Sequence, residues 1–269
     1  MSSQEVSRSP LRWAGSKRKL LPHLTRLAPL QFERYVEPFC GSLCLFVALK
    51  PKTALVGDIN EELVHFYKTI KEHAITVARL AHELPDDPDI YYKVRALEPS
   101  LLSSPVRAAR FLYLNRHCFN GVYRTNNQGK FNVARGMHGG VVPSEKELLA
   151  FGKLLRQVDV RTGDFSTLLN ESGRNDFIYL DPPYAGRNIR DRGEYGAGTF
   201  KENDIKRLVE LVHKVSKRGA KILISYADLP IIRSSFKDWH ITQIEVGRNV
   251  SGFAYGRSKV SELIIRNFE

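Results

Sequence analysis

The amino-acid sequence predicts an α/β fold built on one doubly wound sheet of about seven strands. Short runs rich in β-branched and aromatic residues alternate with segments whose apolar residues recur every three or four positions, which is the helical period. Alternation of this kind is typical of a parallel sheet covered by helices. A chain of 269 residues is long enough for one large domain that carries an insertion.

Seven segments are predicted to form the strands, and helical patterns separate most of them. The strand candidates are residues 34–39, 53–58, 158–164, 176–181, 220–226, 239–246 and 261–267. Helices are predicted within residues 40–50, 59–84 and 200–219. The last two strands are joined by the short run NVSGFAYGRSK instead of a helix, so we expect them to pair as an antiparallel hairpin at one edge.

Residues 84–145 are predicted to form an insertion, because they are too long for an ordinary connection between strands. Within it, SPVRAARFLYLNRHC indicates a basic helix, and FNGVYRTNNQGKFNV indicates two short strands around the turn formers TNNQG. Ser144 and Glu147 have the spacing of a capping box, which predicts that a helix begins after the insertion. The predicted domains are a main domain of residues 1–83 and 146–269 and an inserted domain of residues 84–145.

The net charge of +12 favours a polyanionic partner, because basic side chains release counterions from phosphates. The charge is unevenly placed, since residues 99–144 contain no Asp or Glu. A surface that carries only positive charges favours contact with nucleic acid, although a merely solvated basic face has the same composition. The basic residues here include Arg107, Arg110, Arg116, Arg124, Lys130 and Arg135.

Composition and motifs exclude several classes of protein. No apolar run approaches the ~20 residues of a membrane span, and the N-terminal MSSQEVSRSPLRW has no apolar signal-peptide region. WAGSKRK does not satisfy the P-loop pattern GxxxxGK[ST]. The three cysteines match no zinc spacing, and the absence of CxxC and HxE excludes a zinc deaminase. We therefore expect a soluble, cytoplasmic protein with reduced cysteines and no metal.

The segment RYVEPFCGS predicts a ligand site where the first strand turns into a helix. Gly41 would let backbone N–H groups approach a ligand, while the Glu37 carboxylate favours a cation such as the ammonium of an amino acid. The next strand ends in Asp58, at the distance along the chain from which an acid reaches ribose hydroxyls. These residues suit S-adenosylmethionine, and a Glu37 that is simply a surface acid in a turn is the alternative.

The motif DPPY, Asp181 to Tyr184, follows the apolar run FIYL and predicts the catalytic site. Pro182 and Pro183 must end the strand, so Asp181 and Tyr184 would project beyond the carboxyl ends of the strands, where ligands bind. Asp181 and the Pro182 carbonyl would accept the N–H groups of an exocyclic amine, and Tyr184 would stack on a base that has left the duplex. An ordinary Asp-Pro turn with a surface tyrosine is the alternative.

Six motifs in order, LRWAGSK, YVEPFCGS, LVGDIN, NRHCFNGVYRTNNQGKFNV, GDF and DPPY, resemble the Dam-like DNA adenine-N6 methyltransferases of the alpha-group amino-methyltransferases. The resemblance runs from about Leu11 to Phe268. It implies a methyltransferase-type sheet with an inserted DNA-recognition domain. It also implies transfer of methyl from S-adenosylmethionine to the N6 amine of a flipped-out adenine in double-stranded DNA.

The same resemblance implies a set of residues that hold the cofactor. They are Trp13 and Lys17 in the pocket, Glu37 and Phe39 at its methionine end, Asp58 at the ribose, and Asp164 and Phe165 at the adenine. Asp181 would lie between the methyl group and the target base. The closing GFAYGRSKVSEL resembles the family's final loop and strand loosely, and Arg257 and Lys259 are predicted to contact phosphate.

The segment NRHCFNGVYRTNNQGKFNVARG resembles the family's DNA-reading element, with Ala134 where proline is usual. This departure lies on the DNA surface, so the resemblance does not fix the recognised sequence. We predict that Arg124 reads a base and that Arg107 and Arg110, three apart on one helix, contact the DNA backbone. The full set predicted to bind DNA is Arg107, Arg110, Arg116, Asn120, Arg124, Asn126, Lys130 and Arg135.

Two alternative functions stay open at this point. A methyltransferase acting on RNA bases or protein glutamine would share the motif, but arginines on a hairpin suit the major groove of DNA better than that of A-form RNA. A catalytically inactive DNA-binding homologue would share the fold, but the intact DPPY favours an enzyme. A cognate restriction endonuclease is a candidate partner, and we expect a monomer.

Overall fold

The computed structural model describes residues 8–184, 200–247 and 259–269. These residues contain all seven predicted strands, each beginning and ending within two residues of its predicted bounds. The strands lie in one sheet with the order β3-β2-β1-β4-β5-β7-β6. They are β1 (Arg34–Glu37), β2 (Ala54–Asp58), β3 (Val158–Thr162), β4 (Asp176–Leu180), β5 (Lys221–Ala227), β6 (His240–Gly247) and β7 (Lys259–Arg266).

The first five strands of the sheet are parallel, and the last two are antiparallel as predicted. β1 pairs in parallel with β2 and β4, while β7 lies antiparallel between β5 and β6. Strand order therefore reverses between β1 and β4, and the carboxyl ends of both strands open onto one crevice. In sheets of this type the ligand binds in that crevice.

Helices cover both faces of the sheet. Those in the described residues are α1 (Leu21–Leu27), α2 (Cys44–Leu49), α3 (Glu61–His82), α4 (Pro88–Ala96), α5 (Ser104–His117), α6 (Glu145–Leu154), α7 (Phe165–Asn170), α8 (Glu202–Lys217) and α9 (Pro230–Ser235). The predicted capping box is present, since the Ser144 and Glu147 side chains each accept from the other's backbone at the start of α6. None of these helices is long and apolar enough to cross a membrane.

Two apolar clusters form the core, one on each face of the sheet. Successive side chains of a strand point to opposite faces, so Tyr35 lies in one cluster and Val36 in the other. In β4, Tyr179 faces the cluster that contains α3, while Leu180 faces the cluster that contains α8. Strands buried on both faces are the reason for the continuous apolar runs in the sequence.

The insertion is built directly onto the main core. Ala108 and Leu112 of α5 belong to the same apolar cluster as α3, while Tyr91, Tyr113 and Val133 form a smaller cluster of their own. The segment after α5 was predicted to form two strands, but within residues 119–133 the pairing is one bridge between Thr125 and Phe131.

The turn is closed by the Asn126 side chain, which accepts hydrogen bonds from the backbone of Gln128 and Lys130. Beyond the bridge, the Val133 carbonyl accepts from the side chains of Tyr91 and Arg95, and the Val122 N–H donates to the Phe119 carbonyl. Backbone groups used in this way are not available to extend a ladder. The segment is therefore a tight loop, and we call residues 119–133 the turn loop below.

Candidate active site

The Asp181 carboxylate lies at the end of β4 and forms a buried ion pair with Lys17. Lys17 Nζ is 2.7 Å from Asp181 Oδ1 and 3.2 Å from the Gly15 carbonyl oxygen, and the two side chains are 8% and 19% exposed. Burial lowers the pKa of Lys17, but the interactions with Asp181, Tyr184 and Glu262 together outweigh it, and the pKa is raised overall. Burial likewise raises the pKa of Asp181, and Lys17 opposes that rise. The ammonium is therefore charged at neutral pH and fixes the position of the carboxylate.

Tyr184 forms the aromatic wall of the same site. Lys17 Nζ lies 4.8 Å from the centre of its ring, and the Tyr226 ring packs against it at 5.1 Å. Burial raises the pKa of Tyr184, so its hydroxyl is neutral. That hydroxyl oxygen is buried without a hydrogen-bond partner among the described residues. The DPPY segment is thus packed against Lys17 and Tyr226, and it is not an exposed Asp-Pro turn.

Glu37, at the end of β1, is buried and not a surface acid. It is 2% exposed, and the Tyr35 hydroxyl donates to its Oε2 at 2.8 Å. Burial raises the pKa of Glu37 well above its ordinary value, and the Asp181 charge adds to this. A buried carboxyl group whose proton affinity is raised by burial and by a neighbouring carboxylate is stabilised in its charged form by a cationic ligand.

The turn after β1 brings Gly41, Trp13 and Asp58 together. The backbone N–H of Gly41 donates to Asp58 Oδ2 at 3.1 Å, and Gly41 has a φ of +42°. A Cβ at Gly41 would lie 3.0 Å from Cδ1 and Nε1 of Trp13, so only glycine leaves room for this indole. Burial raises the pKa of Asp58, against the backbone hydrogen bonds from Asn60 and Gly41. This arrangement places a carboxylate and an aromatic ring beside an open backbone turn.

Asp164 and Phe165 lie where β3 leads into α7. Phe165 stacks on Phe39 with ring centres 5.2 Å apart. Arg207 of α8 contacts both residues. Its guanidinium lies 4.6 Å from the centre of the Phe165 ring and 2.7 Å from Asp164 Oδ2. Burial acts to raise the pKa of Asp164, but the bonds from Ser166 and Arg207 lower it overall. Sequence reasoning missed Arg207, because nothing in its local pattern distinguishes it from the other basic residues of α8.

Two of the predicted DNA contacts, Arg107 and Arg110, are bonded to other helices within the fold. Arg110 is 5% exposed and donates to the carbonyls of Val94 and Arg95, the last turn of α4, at 3.0 and 2.8 Å. Basic side chains commonly satisfy the free carbonyls at a helix end. Arg107 is paired with Glu62 of α3. The two arginines therefore hold α5 to its neighbouring helices, and their contact with the DNA backbone stays a prediction.

The other predicted DNA residues lie in the turn loop or within three residues of it. Arg124 donates through Nε to Asn132 Oδ1 at 2.8 Å, and Asn120 is exposed with a φ of +53°. The remaining contacts are Arg116 to the Pro10 carbonyl at 3.2 Å, Lys130 to Glu98 at 3.7 Å, and Arg135 to Asp86 at 2.5 Å, with Asn126 in the turn described above. Arg257 and the side chain of Lys259 lie outside the described part of the chain.

A run of ring contacts connects the turn loop to the crevice. Trp13 stacks on Tyr123 with ring centres 6.3 Å apart, and Tyr123 contacts Phe131 at 5.4 Å. Gly121 packs against Arg12, since a Cβ there would lie 2.6 Å from Cβ of Arg12. The loop therefore lies directly beside the segment that carries Trp13 and Lys17.

This fold and site define an α/β methyltransferase, with β7 inserted antiparallel between β5 and β6 and an acid-Pro-Pro-Tyr segment after β4. Residues 13–250 match the D12 class N6 adenine-specific DNA methyltransferases, and the chain belongs to that family. The resemblance found in the sequence is confirmed.

Relatives of known name agree with this assignment. The chain is 30% identical to the type II methyltransferase M1.LlaDCHI of Lactococcus lactis subsp. cremoris, over 96% of this chain and 94% of that protein. It is 31% identical to the retron Ec67 DNA adenine methylase of Escherichia coli, over 95% and 89%. It is 36% identical to the DNA N-6-adenine-methyltransferase of Escherichia phage P1, over 87% of this chain and 32% of that longer protein. The protein is an adenine-specific DNA methyltransferase.

Proposed function

We propose that the protein transfers a methyl group from S-adenosylmethionine to the N6 amine of an adenine flipped out of double-stranded DNA. The observation that carries this is the meeting of Lys17, Asp181 and Tyr184 with the buried Glu37 at the switch point of the sheet. Three chain segments supply these residues, so the arrangement is a property of the fold.

The residues present fit S-adenosylmethionine. Glu37 and Asp181 would stabilise its cationic methionine end, and Asp58 beside the open Gly41 turn would bind the ribose hydroxyls. Asp164 would accept from the adenine amine, while Phe39 and Phe165 would pack on the purine. Arg207 would then have to move or to cover the ring from the other side. When bound, this cofactor supplies an electrophilic methyl carbon on a sulfonium.

Asp181 and the Pro182 carbonyl would act on the target amine. By accepting its N–H groups they would localise electron density on the nitrogen that is to be methylated. The amine must lose one proton after the transfer, and the burial that raises the pKa of Asp181 suits it to hold that proton before release to water. Tyr184 would stack on the adenine and replace part of the stacking lost in the duplex.

The insertion, residues 84–145, would carry the DNA contacts. Its turn loop lies beside Trp13 through Tyr123, so a duplex bound there would deliver a flipped base toward Asp181. Arg124 stays our candidate for reading a base. We further propose that the protein acts in the cytoplasm as a monomer and that a cognate endonuclease is a candidate partner.

Expression in a host that lacks adenine methylation tests this function. Mapping modified adenines across the host genome should reveal N6-methyladenine in one short sequence context, and the Asp181→Ala variant should leave the DNA unmodified. Calorimetry with S-adenosylmethionine should detect binding by both proteins, because Asp181 is one of several groups in the pocket. Unmodified DNA from the wild-type protein, or methylation confined to RNA, would overturn the proposal.

A further inference from the structure

Two buried hydroxyl groups form a chain that reaches the Asp181 carboxylate from inside the sheet. Ser225 of β5 is 0% exposed, and its Oγ lies 3.2 Å from Asp181 Oδ1. The hydroxyl of Tyr179, 1% exposed in β4, lies 2.8 Å from the same Ser225 Oγ. The three groups form a continuous chain of polar atoms under the proposed reaction site.

The register of the sheet fixes this chain in place. β4 and β5 are parallel with Leu180 opposite Ile224, so Ser225 lies beside Asp181 across the strand pair. Tyr179 and Asp181 are two residues apart, and alternate side chains of a strand lie on one face. The contact therefore follows from strand pairing and does not depend on a flexible side chain finding its partner.

The direction of the hydrogen bonds can be worked out from the donors available. An ionised carboxylate only accepts, and a serine hydroxyl has one proton, so Ser225 donates to Asp181. Ser225 must then accept from Tyr179. Burial raises the pKa of Tyr179 well above its ordinary value, which keeps this phenol protonated and able to donate. The donor direction runs from Tyr179 through Ser225 to Asp181.

Both described polar contacts of the Asp181 carboxylate are made to one oxygen. Lys17 Nζ and Ser225 Oγ approach Oδ1 at 2.7 and 3.2 Å. Two donors on the same oxygen fix the plane of the carboxylate, and within the described residues Oδ2 is left for a ligand. We propose that Ser225 and Tyr179 are positioning residues for methyl transfer, which hold Oδ1 so that Oδ2 is aimed at the target amine. This inference rests on the proposed role of Asp181.

Four variants test the inference, namely Ser225→Ala, Tyr179→Phe, the double variant and the control Tyr113→Phe. The control removes a buried hydroxyl that donates to the Pro85 carbonyl at 2.8 Å, far from Asp181 in the chain. The measurements are the single-turnover methylation rate against pH on a duplex carrying the mapped site, the dissociation constant of S-adenosylmethionine, and the melting temperature.

We expect Ser225→Ala to lower the single-turnover rate about tenfold or more, the lower end of the range for a hydrogen bond to a charged group, with cofactor affinity unchanged within about twofold. Tyr179→Phe should have a smaller effect alone and almost none when added to Ser225→Ala, because it acts through that serine. Tyr113→Phe should keep the wild-type rate. If Tyr179→Phe lowers the rate by the same factor in the wild type and in Ser225→Ala, the proposed chain is overturned.

The pH profile separates a positioning role from a merely structural one. Burial raises the pKa of Asp181 and the Ser225 hydrogen bond is among the groups that lower it, so Ser225→Ala should move the acidic limb to higher pH. The other groups that interact with Asp181 are unchanged in this variant, namely Lys17, Glu37, Cys44, Tyr179, Tyr184 and Glu262. A lower melting temperature with an unmoved acidic limb would show that Ser225 is structural.

Two reference proteins keep this result distinct from the proposed function. If the wild type methylates the duplex and Asp181→Ala does not, while the Ser225 and Tyr179 variants keep the wild-type rate and profile, the inference alone fails. If the wild type itself transfers no methyl group to DNA, the proposed function fails first.

Discussion

Replacing Lys17 by methionine tests the electrostatics of the site, because it removes one partner of a buried ion pair and keeps a side chain of similar length. The Nζ to Oδ1 distance is 2.7 Å, and both side chains are less than one-fifth exposed. Breaking a buried pair by removing one partner costs about 3–5 kcal/mol, since the remaining charge loses its compensation. We expect Lys17→Met to lower the free energy of unfolding by about 3 kcal/mol at neutral pH.

The loss should depend on pH in a defined direction. Burial raises the pKa of Asp181 and Lys17 opposes this, so the variant's carboxyl has a folded-state pKa further above its unfolded value. Such a carboxyl binds a proton more tightly in the folded state, and lowering the pH stabilises the folded variant relative to wild type. The deficit should therefore be largest at neutral pH and shrink as the pH falls through the folded-state pKa of Asp181.

Urea denaturation of four proteins measures this effect. They are the wild type, Lys17→Met, Asp181→Asn and the double variant Lys17→Met/Asp181→Asn, compared from neutral to mildly acidic pH. The double variant removes both charges, so it should be more stable than the single variant. A single-variant loss under about 1 kcal/mol, or a double variant whose loss equals the sum of the two single losses, would refute the ion pair as described.

Three further predictions concern the pocket, the insertion and the charge around Asp181. Glu37→Gln should weaken the binding of S-adenosylmethionine about tenfold or more in calorimetry and leave DNA affinity unchanged, because it removes a buried carboxyl group that would face a cation. Arg110→Ala should lower the free energy of unfolding by about 2 kcal/mol, since two helix-end carbonyls lose their charged donor. Arg124→Ala should instead weaken DNA binding at the cognate site by about 1–3 kcal/mol and relax discrimination at one base pair. Glu262→Gln should move the acidic limb of the rate profile to lower pH, because besides burial the Glu262 charge raises the pKa of Asp181.

The parts of the fold that depend on local pattern could be predicted from the sequence. The continuous apolar run before Asp181 predicted a strand buried on both faces, and β4 is one. Glu37 and Asp58 end two strands and Asp181 follows a third, so parallel pairing places these acids at one edge of the sheet. Capping at Ser144 was predictable because both partners lie within one helical turn.

The parts of the fold and of the site that depend on tertiary packing could not be predicted from the sequence. Arg110 fits a basic helix face in sequence, but α5 is packed between α3 and α4, and the end of α4 takes up its guanidinium. Ser225 and Arg207 reach the site through strand register and helix packing, so no motif around them indicates a role. The turn loop was predicted to contain two strands from its turn formers, yet side chains of α4 take the Val133 carbonyl that a longer ladder would need.

The central claim is that Asp181 activates the target amine at the point where the cofactor and DNA sites meet. The most direct measurement is the single-turnover rate of methyl transfer by Asp181→Ala on a duplex carrying the mapped site, with circular dichroism and DNA binding as checks on the fold. We predict a loss of about 10²–10³ or more with DNA binding retained, the usual cost of removing one preorganised group. A folded variant that keeps more than about a tenth of the wild-type rate would contradict the claim, since a factor of ten corresponds to only about 1.4 kcal/mol of transition-state stabilisation.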